Sequence, residues 1–475
     1  CHSARPSLFS TASGFDDYRG FLNLCVVLLV TCSRILKFNL IGPYLTLFKS
    51  FLSKYCVISN ARVFLENILK YGILVDPLQW LSAVLYNPYQ WPNLLLVLGS
   101  SVFIFIAFHI ERFLARVSLK NKKYNIKVFF ILVFLFIFPH DKINKKLYVI
   151  TVGSLFSCSV YVVVFLKLWS YAQTNKWYRE GYTKALSKRR IHRTSKEFLS
   201  RGLIQYPYNL SYRNLLYFMA APTLCYEANY PRTSGINKSY LMRRALEIVS
   251  KNFNSILNLN WLTCLKGICL YYILNLFLFQ LELALIQQWV VPVLQKAILP
   301  IHNYEGYTIM ERLLKLSVPN HFIWLVFFYF FFHSVLNALA EVMKFADREF
   351  YRDWWNAETI VYFWQAWNIP VHKWCVRHCY KPLLSIGCPK FAAQVSVFLL
   401  SAFFHEYLVS IPLHMFKAWA FFGMTMQIPL SVFTSWVSKR FSSNYGNMIV
   451  WMSLILGQPV AILAYVYHYY VTSYT

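Results

Sequence analysis

Long apolar runs recur along the chain, and short polar or basic segments separate them. An α-helix needs about 20 apolar residues to cross a hydrocarbon core of about 30 Å. Runs that approach or exceed this length begin at Asn93, Leu147, His321, Phe391, Trp419 and Val450, and weaker ones lie near Leu22, from Lys127 and around residues 262 to 286. The pattern predicts an all-α polytopic membrane protein of about eight or nine transmembrane helices.

Composition places the chain outside the class of soluble globular proteins. Its 475 residues are 57% hydrophobic and only 14% charged, whereas about a quarter of the residues of a soluble domain are charged. The excess of 47 Lys and Arg over 19 Asp and Glu gives a net charge of +28. Because these charges lie between apolar runs, the positive-inside rule explains them, and we expect no nucleic-acid partner.

The clearest basic segment follows Trp169, and residues 171–250 are predicted to be cytosolic. Lys176, Arg179 and Lys184 lie near its start, and further basic residues follow between positions 188 and 201. Basic segments also favour anionic headgroups and nucleotide phosphates. Membrane topology alone accounts for this one.

The 11 cysteines have no paired spacing, which favours buried free thiols over a disulfide framework. In the stretch HKWCVRHC, four potential zinc ligands stand together: His372, Cys375, His378 and Cys379. A structural zinc site usually has two ligand pairs separated by about a dozen or more residues. This cluster has no second pair, so we expect no metal.

The stretch SAFFHEYLVS places His405 and Glu406 side by side within an apolar run. An ionisable residue at membrane depth usually faces a cavity or a partner, although a position at the membrane interface would lower its cost. His405 has the side chain of a general base at neutral pH. Ser401, one helical turn earlier, lies within reach of a hydrogen bond. Neither a GxSxG nor an HExxH motif accompanies the pair, so direct transfer of an activated acyl group to an alcohol suits the site better than a covalent serine intermediate.

A second polar constellation lies upstream, between residues 348 and 374. Its polar members are Arg352, Asp353, Asn356, Gln365 and Asn368, set among aromatic residues. One interpretation is an aromatic belt at headgroup depth. The other is a site in which amide side chains hold the polar head of a ligand while its tail enters the bilayer.

Three stretches carry a resemblance to a known family: FYRDWWN from Phe350, WNIPVHKW from Trp367, and SAFFHEYLVSIPL from Ser401. Together they resemble the sterol and diacylglycerol branch of the membrane-bound O-acyltransferases. Longer runs favour the diacylglycerol side of that branch, among them SLFSTASGFDDYRG from Ser7 and YPYNLSYRNLLYFMAAPTLCYEANYPR from Tyr206. The similarity spans most of the chain.

The resemblance implies a fold and an activity. The transmembrane helices would enclose an intramembrane reaction chamber, where a fatty acyl group passes from acyl-CoA to diacylglycerol and forms triacylglycerol. The implied setting is the endoplasmic reticulum membrane, and the implied assembly is a homo-oligomer, either a dimer or a tetramer. Acyl-CoA would be a co-substrate, with no separate cofactor.

Two alternatives to diacylglycerol acylation remain open at this point. A sterol acceptor is the enzymatic one, because FYRDWWN and the His site occur in both branches of the family. A transporter or channel is the non-enzymatic one, since intramembrane His and Glu residues often relay ions. Transporters commonly show repeated halves, and the sequence shows no such repeat.

The resemblance also assigns roles to individual residues. His405 matches the catalytic His, Glu406 its acidic neighbour, and Asn368 an Asn at the active centre. Residues implied in substrate binding are Trp364, Gln365, Trp367, His372, Tyr380, Ser401, Gln427 and Gln458, with Gln458 near the thioester and Ser401 orienting His405. The FYRDWWN motif, implied to help form the CoA side, comprises Phe350, Tyr351, Arg352, Asp353, Trp354, Trp355 and Asn356.

The chain departs from the family pattern in two places. The predicted organisation is an N-terminal segment with the start of the first span at 1–30, an insertion at 31–57, membrane helices at 58–170, the basic segment at 171–250, a second insertion at 253–279 and the family core at 280–475. Both insertions are rich in Leu, Ile, Phe, Asn and Lys, a composition that translated AT-rich sequence would give. We interpret them as unspliced introns; the alternative is genuine insertion, which their presence in mature mRNA would demonstrate.

Overall fold

The computed structural model describes residues 1–10, 13–21, 23–25, 27, 68–70, 72, 92–116, 151–187, 204–235 and 280–474. The backbone of this part is helical, and its only β-pairings are isolated bridges. The helices are α1 (Pro92–Arg116), α2 (Thr151–Ser187), α3 (Tyr212–Ala220), α4 (Gln280–His302), α5 (Gly306–Val342), α6 (Ile360–Trp367), α7 (Ile369–Cys375), α8 (Lys390–Leu413), α9 (Trp419–Thr425), α10 (Gln427–Arg440) and α11 (Ser443–Tyr474). Helix α7 continues through a π-helical turn, Val376–Tyr380, into Lys381–Ser385.

Six helices in the described residues are long and apolar enough to cross a membrane, namely α1, α2, α4, α5, α8 and α11. They confirm the prediction of an all-α polytopic membrane protein. The weaker candidate spans from Lys127 and over residues 262 to 279 lie outside the described residues, as does most of the run near Leu22. Both predicted insertions, 31–57 and 253–279, also lie outside them.

The apolar run from Trp419 is not a single span, contrary to the prediction. The structure divides it into α9 and α10, which meet at Met426. Pro429 lies in the first turn of α10. Because proline has no backbone N–H, it cannot bond to the carbonyl four residues earlier, at Thr425, and the helix is interrupted there.

Helix α2 extends well beyond the apolar run that predicted it. Lys176, Arg179 and Lys184 lie on this helix, whereas the sequence placed them in a polar connection. The Arg179 guanidinium is buried and donates a hydrogen bond to Glu111 on α1 at 2.7 Å. A buried charge is tolerated when it is paired in this way, so the ion pair explains how the basic stretch continues as a packed helix.

The largest apolar core joins the loop between α5 and α6 to helices α5, α6 and α11. Its centre is aromatic, and Trp354, Trp355, Phe363 and Trp451 are each at most 2% exposed. Around this centre, α5 and α10 pack against α11, while α8 packs against α2 and α9. The packing holds α6, α8 and α11 together, and these three helices carry the principal candidate residues.

Candidate active site

His405 lies in the middle of α8 and faces α6. Its ring meets Trp364 edge to face, with 6.3 Å between ring centroids and an interplanar angle of 81°. The imidazole remains accessible even though its helix is packed on α2 and α9. His405 therefore borders an open space beside Trp364.

The hydrogen bonds of His405 fix its tautomer. Nδ1 lies 2.7 Å from the backbone carbonyl oxygen of Ser401. A carbonyl oxygen can only accept a hydrogen bond, so Nδ1 carries the proton and Nε2 presents a lone pair. In the described part of the chain, Nε2 has no hydrogen-bond partner. The Ser401 hydroxyl is farther from Nδ1, at 3.5 Å, so the carbonyl holds the ring more closely than the predicted hydroxyl.

Glu406 occupies a different environment from its neighbour. Its carboxylate accepts hydrogen bonds from the backbone N–H groups of Ala418 and Phe421 at 3.0 and 3.1 Å, at the start of α9. The hydroxyls of Ser410 and of Tyr465 on α11, the latter at 2.9 Å, donate to it as well. A carboxylate next to a helix N-terminus is stabilised by the helix dipole. Both oxygens of Glu406 are thus engaged in joining three helices.

Asn368 lies at the break between α6 and α7. Its side-chain oxygen accepts the backbone N–H of Val371 at 3.2 Å and caps α7. Helix α6 presents Gln365 to the accessible side and leaves Trp364 and Trp367 half-buried. The amides and tryptophans predicted from sequence are therefore gathered at one helix junction.

The tryptophans of α6 connect His405 to α5. Trp364 and Trp367 are three positions apart, so they share a helix face. Trp367 stacks on Trp324 of α5 at a centroid distance of 4.6 Å and an angle of 13°. Phe363 contacts the rings of both tryptophans of α6, at centroid distances of 5.2 Å to Trp364 and 6.1 Å to Trp367. An aromatic wall thus runs from His405 to α5.

Helix α5 continues this wall to Gln458. Asn320 precedes Trp324 by one turn, and its side-chain N–H group donates to the Gln458 Oε1 on α11 at 3.1 Å. Gln427 lies at the beginning of α10 and is half-buried. Asn320 was missed from the sequence, because hydropathy cannot show which polar residue of a distant helix faces Gln458.

The FYRDWWN motif is mainly part of the core. Phe350, Tyr351, Trp354 and Trp355 are each at most 2% exposed, so these four side chains belong to the apolar core. Arg352 is the exposed member and pairs with Glu349. These aromatic residues are buried because the motif packs against α6, where their side chains fill the largest apolar core.

The remaining polar residues of the motif fix neighbouring segments. Asp353 accepts a hydrogen bond from the Tyr362 hydroxyl. Asn356 donates to the backbone carbonyl of Asp17 at 2.9 Å and accepts the Gly20 N–H at 2.7 Å. Asn356 thus ties the N-terminal segment to the core.

The backbone of the motif forms hydrogen bonds on both sides of Asn368, where α6 ends and α7 begins. The Arg352 N–H donates to the Ala366 carbonyl at 2.8 Å, and the Ile369 N–H donates to the Phe350 carbonyl at 3.0 Å. The motif therefore fixes the end of α6 and the start of α7. Its influence on the site comes from holding this junction in place.

His372 and Tyr380 lie beyond the junction, on α7 and its continuation. His372 borders a cavity of about 390 Å³ whose charged side chains are Lys373, Arg377, Lys381 and Glu227. Glu227 accepts a hydrogen bond from Arg377 at 3.3 Å. Burial lowers the pKa of His372, and the positive charge of Arg352 lowers it further. The three basic side chains outnumber the single carboxylate of Glu227 in this lining, so the cavity is suited to an anionic ligand.

His378 is occupied by hydrogen bonds to α2. Its Nδ1 lies 2.6 Å from the Gln173 Oε1 and its Nε2 lies 2.8 Å from the Ser170 hydroxyl. Burial lowers its pKa to about 3, and the nearby Arg377 charge acts in the same direction. Both ring nitrogens are engaged, so the HKWCVRHC stretch serves helix packing here; the described residues contain no group of ligands arranged to hold a metal.

Comparison with known proteins adds family information to this geometry. The sequence model of the membrane-bound O-acyltransferase family matches residues 148–467. The chain is 47% identical over 473 residues to Diacylglycerol O-acyltransferase 1 of Bos taurus, covering 99% of this chain and 85% of that protein. It is 46% identical over 474 residues to the human protein of the same name, covering 100% and 85%. The chain is 36% identical over 461 residues to Diacylglycerol O-acyltransferase 1C of Glycine max, covering 95% of this chain and 75% of that protein.

Proposed function

The chain belongs to the membrane-bound O-acyltransferase family, and from that premise we propose that His405 is the general base of its acyl transfer. The enzyme is a diacylglycerol O-acyltransferase: it transfers the acyl group of acyl-CoA to diacylglycerol and makes triacylglycerol. The family membership removes the transporter alternative.

The observation that carries the His405 proposal is the hydrogen bond from Nδ1 to the Ser401 carbonyl. It leaves Nε2 unprotonated, which is the form that a base requires. Nε2 takes the proton of the diacylglycerol hydroxyl, and the hydroxyl oxygen attacks the thioester carbonyl carbon. The carbon–sulfur bond then breaks, and the CoA thiolate leaves and accepts the proton. The products are triacylglycerol and CoA thiol.

Negative charge develops on the thioester oxygen during this step. A hydrogen-bond donor aimed at that oxygen lowers the barrier. Gln458 supplies such a donor, because its Oε1 is engaged with Asn320 and its side-chain N–H₂ is left for the substrate. Because Gln458 would contribute a single hydrogen bond to the thioester, we expect Gln458→Ala to lower turnover less than His405→Ala does.

Glu406 has a positioning role in this proposal, since its four hydrogen bonds go to protein groups. The helix that carries His405 is thereby fixed against α9 and α11. Asn368 acts similarly by capping α7 and setting the angle of the junction. The resemblance implied catalytic roles for Glu406 and Asn368, and in this proposal both residues position the site.

Acyl-CoA binds along α6 and α7 in this proposal, from Trp364 through His372 to Tyr380. The basic lining of the cavity beside His372 supports a position for the phosphates of CoA there. Gln427 and Ser401 line the space around the reacting groups. The reaction needs no cofactor, because the thioester is already activated.

The setting of the enzyme is a membrane. Its six apolar helices in the described residues support a multi-pass protein, and we place it in the endoplasmic reticulum as a homo-oligomer, either dimeric or tetrameric. Size-exclusion chromatography with light scattering in detergent measures the number of subunits.

Acceptor choice is tested with purified protein and labelled oleoyl-CoA. Parallel reactions receive diolein or cholesterol in the same detergent. Labelled triacylglycerol from diolein supports the proposal, whereas steryl ester as the only labelled product would show that the acceptor is a sterol.

A further inference from the structure

We propose that Asn320 is a positioning residue that orients the Gln458 amide for the acyl-transfer step. The inference rests on the proposed role of Gln458 at the thioester. Asn320 and Gln458 belong to different helices, α5 and α11, and the Asn320 Nδ2 donates to the Gln458 Oε1 at 3.1 Å. With the two amides in this orientation, the Gln458 Nε2 is the end left for the substrate.

The chemistry of an amide makes this orientation consequential. A glutamine side chain has one accepting oxygen and one donating nitrogen, and a rotation by 180° exchanges them. With Oε1 held by Asn320, the Gln458 Nε2 donates toward the reacting space. In the opposite orientation Oε1 would face the thioester oxygen, and the two partial negative charges would repel each other as the transition state forms.

Two helix prolines lie directly beside the pair. Pro319 precedes Asn320 within α5, and Pro459 follows Gln458 within α11. Each proline removes one backbone hydrogen bond from its helix. Since the local backbone is less constrained at these points, the bond between the two amides contributes directly to their relative position.

The residue that follows Asn320 contacts aromatic rings of both helices of the pair. The next residue, His321, is 2% exposed and lies between the rings of Trp324 and Trp451, at centroid distances of 5.5 and 5.4 Å. These rings fix the register of α5 against α11. The side chain next to Asn320 thus packs against the helix that carries Gln458.

The test is a double-mutant cycle in the purified full chain. Asn320→Asp is nearly isosteric, but its carboxylate accepts hydrogen bonds and so favours the reversed Gln458 amide. We expect Asn320→Asp and Gln458→Ala each to lower kcat by about tenfold to a hundredfold, with the KM for oleoyl-CoA within about twofold. In the Gln458→Ala background, adding Asn320→Asp should change kcat by less than about twofold, because the residue acts through Gln458.

A matched control comes from the same helix. Ser317 is buried one turn before Asn320, and among the described residues its hydroxyl bonds only to the Leu313 carbonyl of its own helix. Ser317→Ala should keep kcat close to the wild-type value. If Asn320→Asp does not fold, Asn320→Leu removes the donor with an apolar side chain of similar size, and the same cycle applies.

The outcomes are distinguishable. An equal loss of kcat from the Asn320 variant in both backgrounds would mean a general structural role and would overturn the inference. Wild-type activity of the Asn320 variant alone would overturn it as well. Wild-type activity of Gln458→Ala would instead contradict the proposed role of Gln458, on which the inference depends, while leaving the His405 proposal to its own test.

Discussion

The carboxylate of Glu406 accepts a hydrogen bond from the Tyr465 hydroxyl at 2.9 Å, and this bond joins α8 to α11. The same hydroxyl accepts the backbone N–H of Ala420, at 3.1 Å. Tyr465 thus connects three helices through one oxygen atom. In the proposed mechanism His405 and Glu406 have different tasks: His405 faces the reacting groups, and Glu406 holds its helix in place.

Tyr465→Phe is expected to weaken this connection without removing the base. The variant leaves a Glu406 oxygen and the Ala420 N–H with fewer partners, which costs about 1 to 3 kcal/mol. We expect a lower melting temperature in detergent and triacylglycerol formation, at temperatures well below melting, within about threefold of wild type. A loss of activity as large as that of His405→Ala, in protein with an unchanged melting temperature, would assign Tyr465 to the chemistry instead.

Gly20→Ala is expected to displace the N-terminal segment. A Cβ atom at Gly20 would lie 1.7 Å from the Trp355 carbonyl oxygen, so the backbone must move and the bond from the Gly20 N–H to Asn356 is strained. Such overpacking costs about 1 to 3 kcal/mol. The melting temperature should fall, and limited proteolysis should cut the N-terminal segment sooner than in wild type.

Gly181→Ala is the matched control for this substitution. Gly181 lies within α2, where a Cβ atom would meet nothing within 4 Å. Alanine is favoured over glycine in a helix by about 1 kcal/mol, so the melting temperature should stay the same or rise. Equal destabilisation by both substitutions would mean that the contact with Trp355 is not the cause.

His378 is expected to make stability fall in mild acid. Its folded pKa is about 3 because it is buried, whereas an exposed histidine titrates near pH 6.5. Between these values the unfolded chain binds the proton and the folded chain does not, so stability is full above about pH 6.5 and declines as the pH falls toward 3, by at most about 1.4 kcal/mol per pH unit.

The check compares melting temperatures of wild type and His378→Gln from pH 7.5 to pH 5. Glutamine can still bond to α2 but does not titrate, so the variant should be less stable at pH 7.5 and lose less on acidification. Parallel curves for the two proteins would show that His378 does not contribute to the acid sensitivity.

Hydropathy predicted the spans well where a run was long and uninterrupted, as in α8 and α11. It failed at Pro429, because one missing N–H divides an apolar run without changing its hydropathy. It also failed at Arg179, since the partner that allows this charge to be buried, Glu111, lies on another helix. The hydropathy of a local stretch cannot show which residues of distant segments contact each other.

Contacts between distant segments also explain why some candidate site residues could be predicted from the sequence and others could not. His405 stood out because an ionisable group in an apolar run is costly. Asn320 and Tyr465 carry no such signal, as amides and tyrosines are common near membrane helices. Their roles follow from the partners that they meet, Gln458 and Glu406, which only the packing of α5, α8 and α11 defines.

In the proposed reaction the His405 Nε2 removes the proton of the acceptor hydroxyl. The most direct test is the rate of triacylglycerol formation by His405→Ala, purified with an oligomer profile that matches wild type and with acyl-CoA binding measured on the same sample. A general base contributes about 10² to 10⁴ in rate, so turnover should fall by that factor, and by more than in Gln458→Ala, while acyl-CoA affinity stays near wild type. Turnover of His405→Ala within about tenfold of wild type would contradict the general-base role.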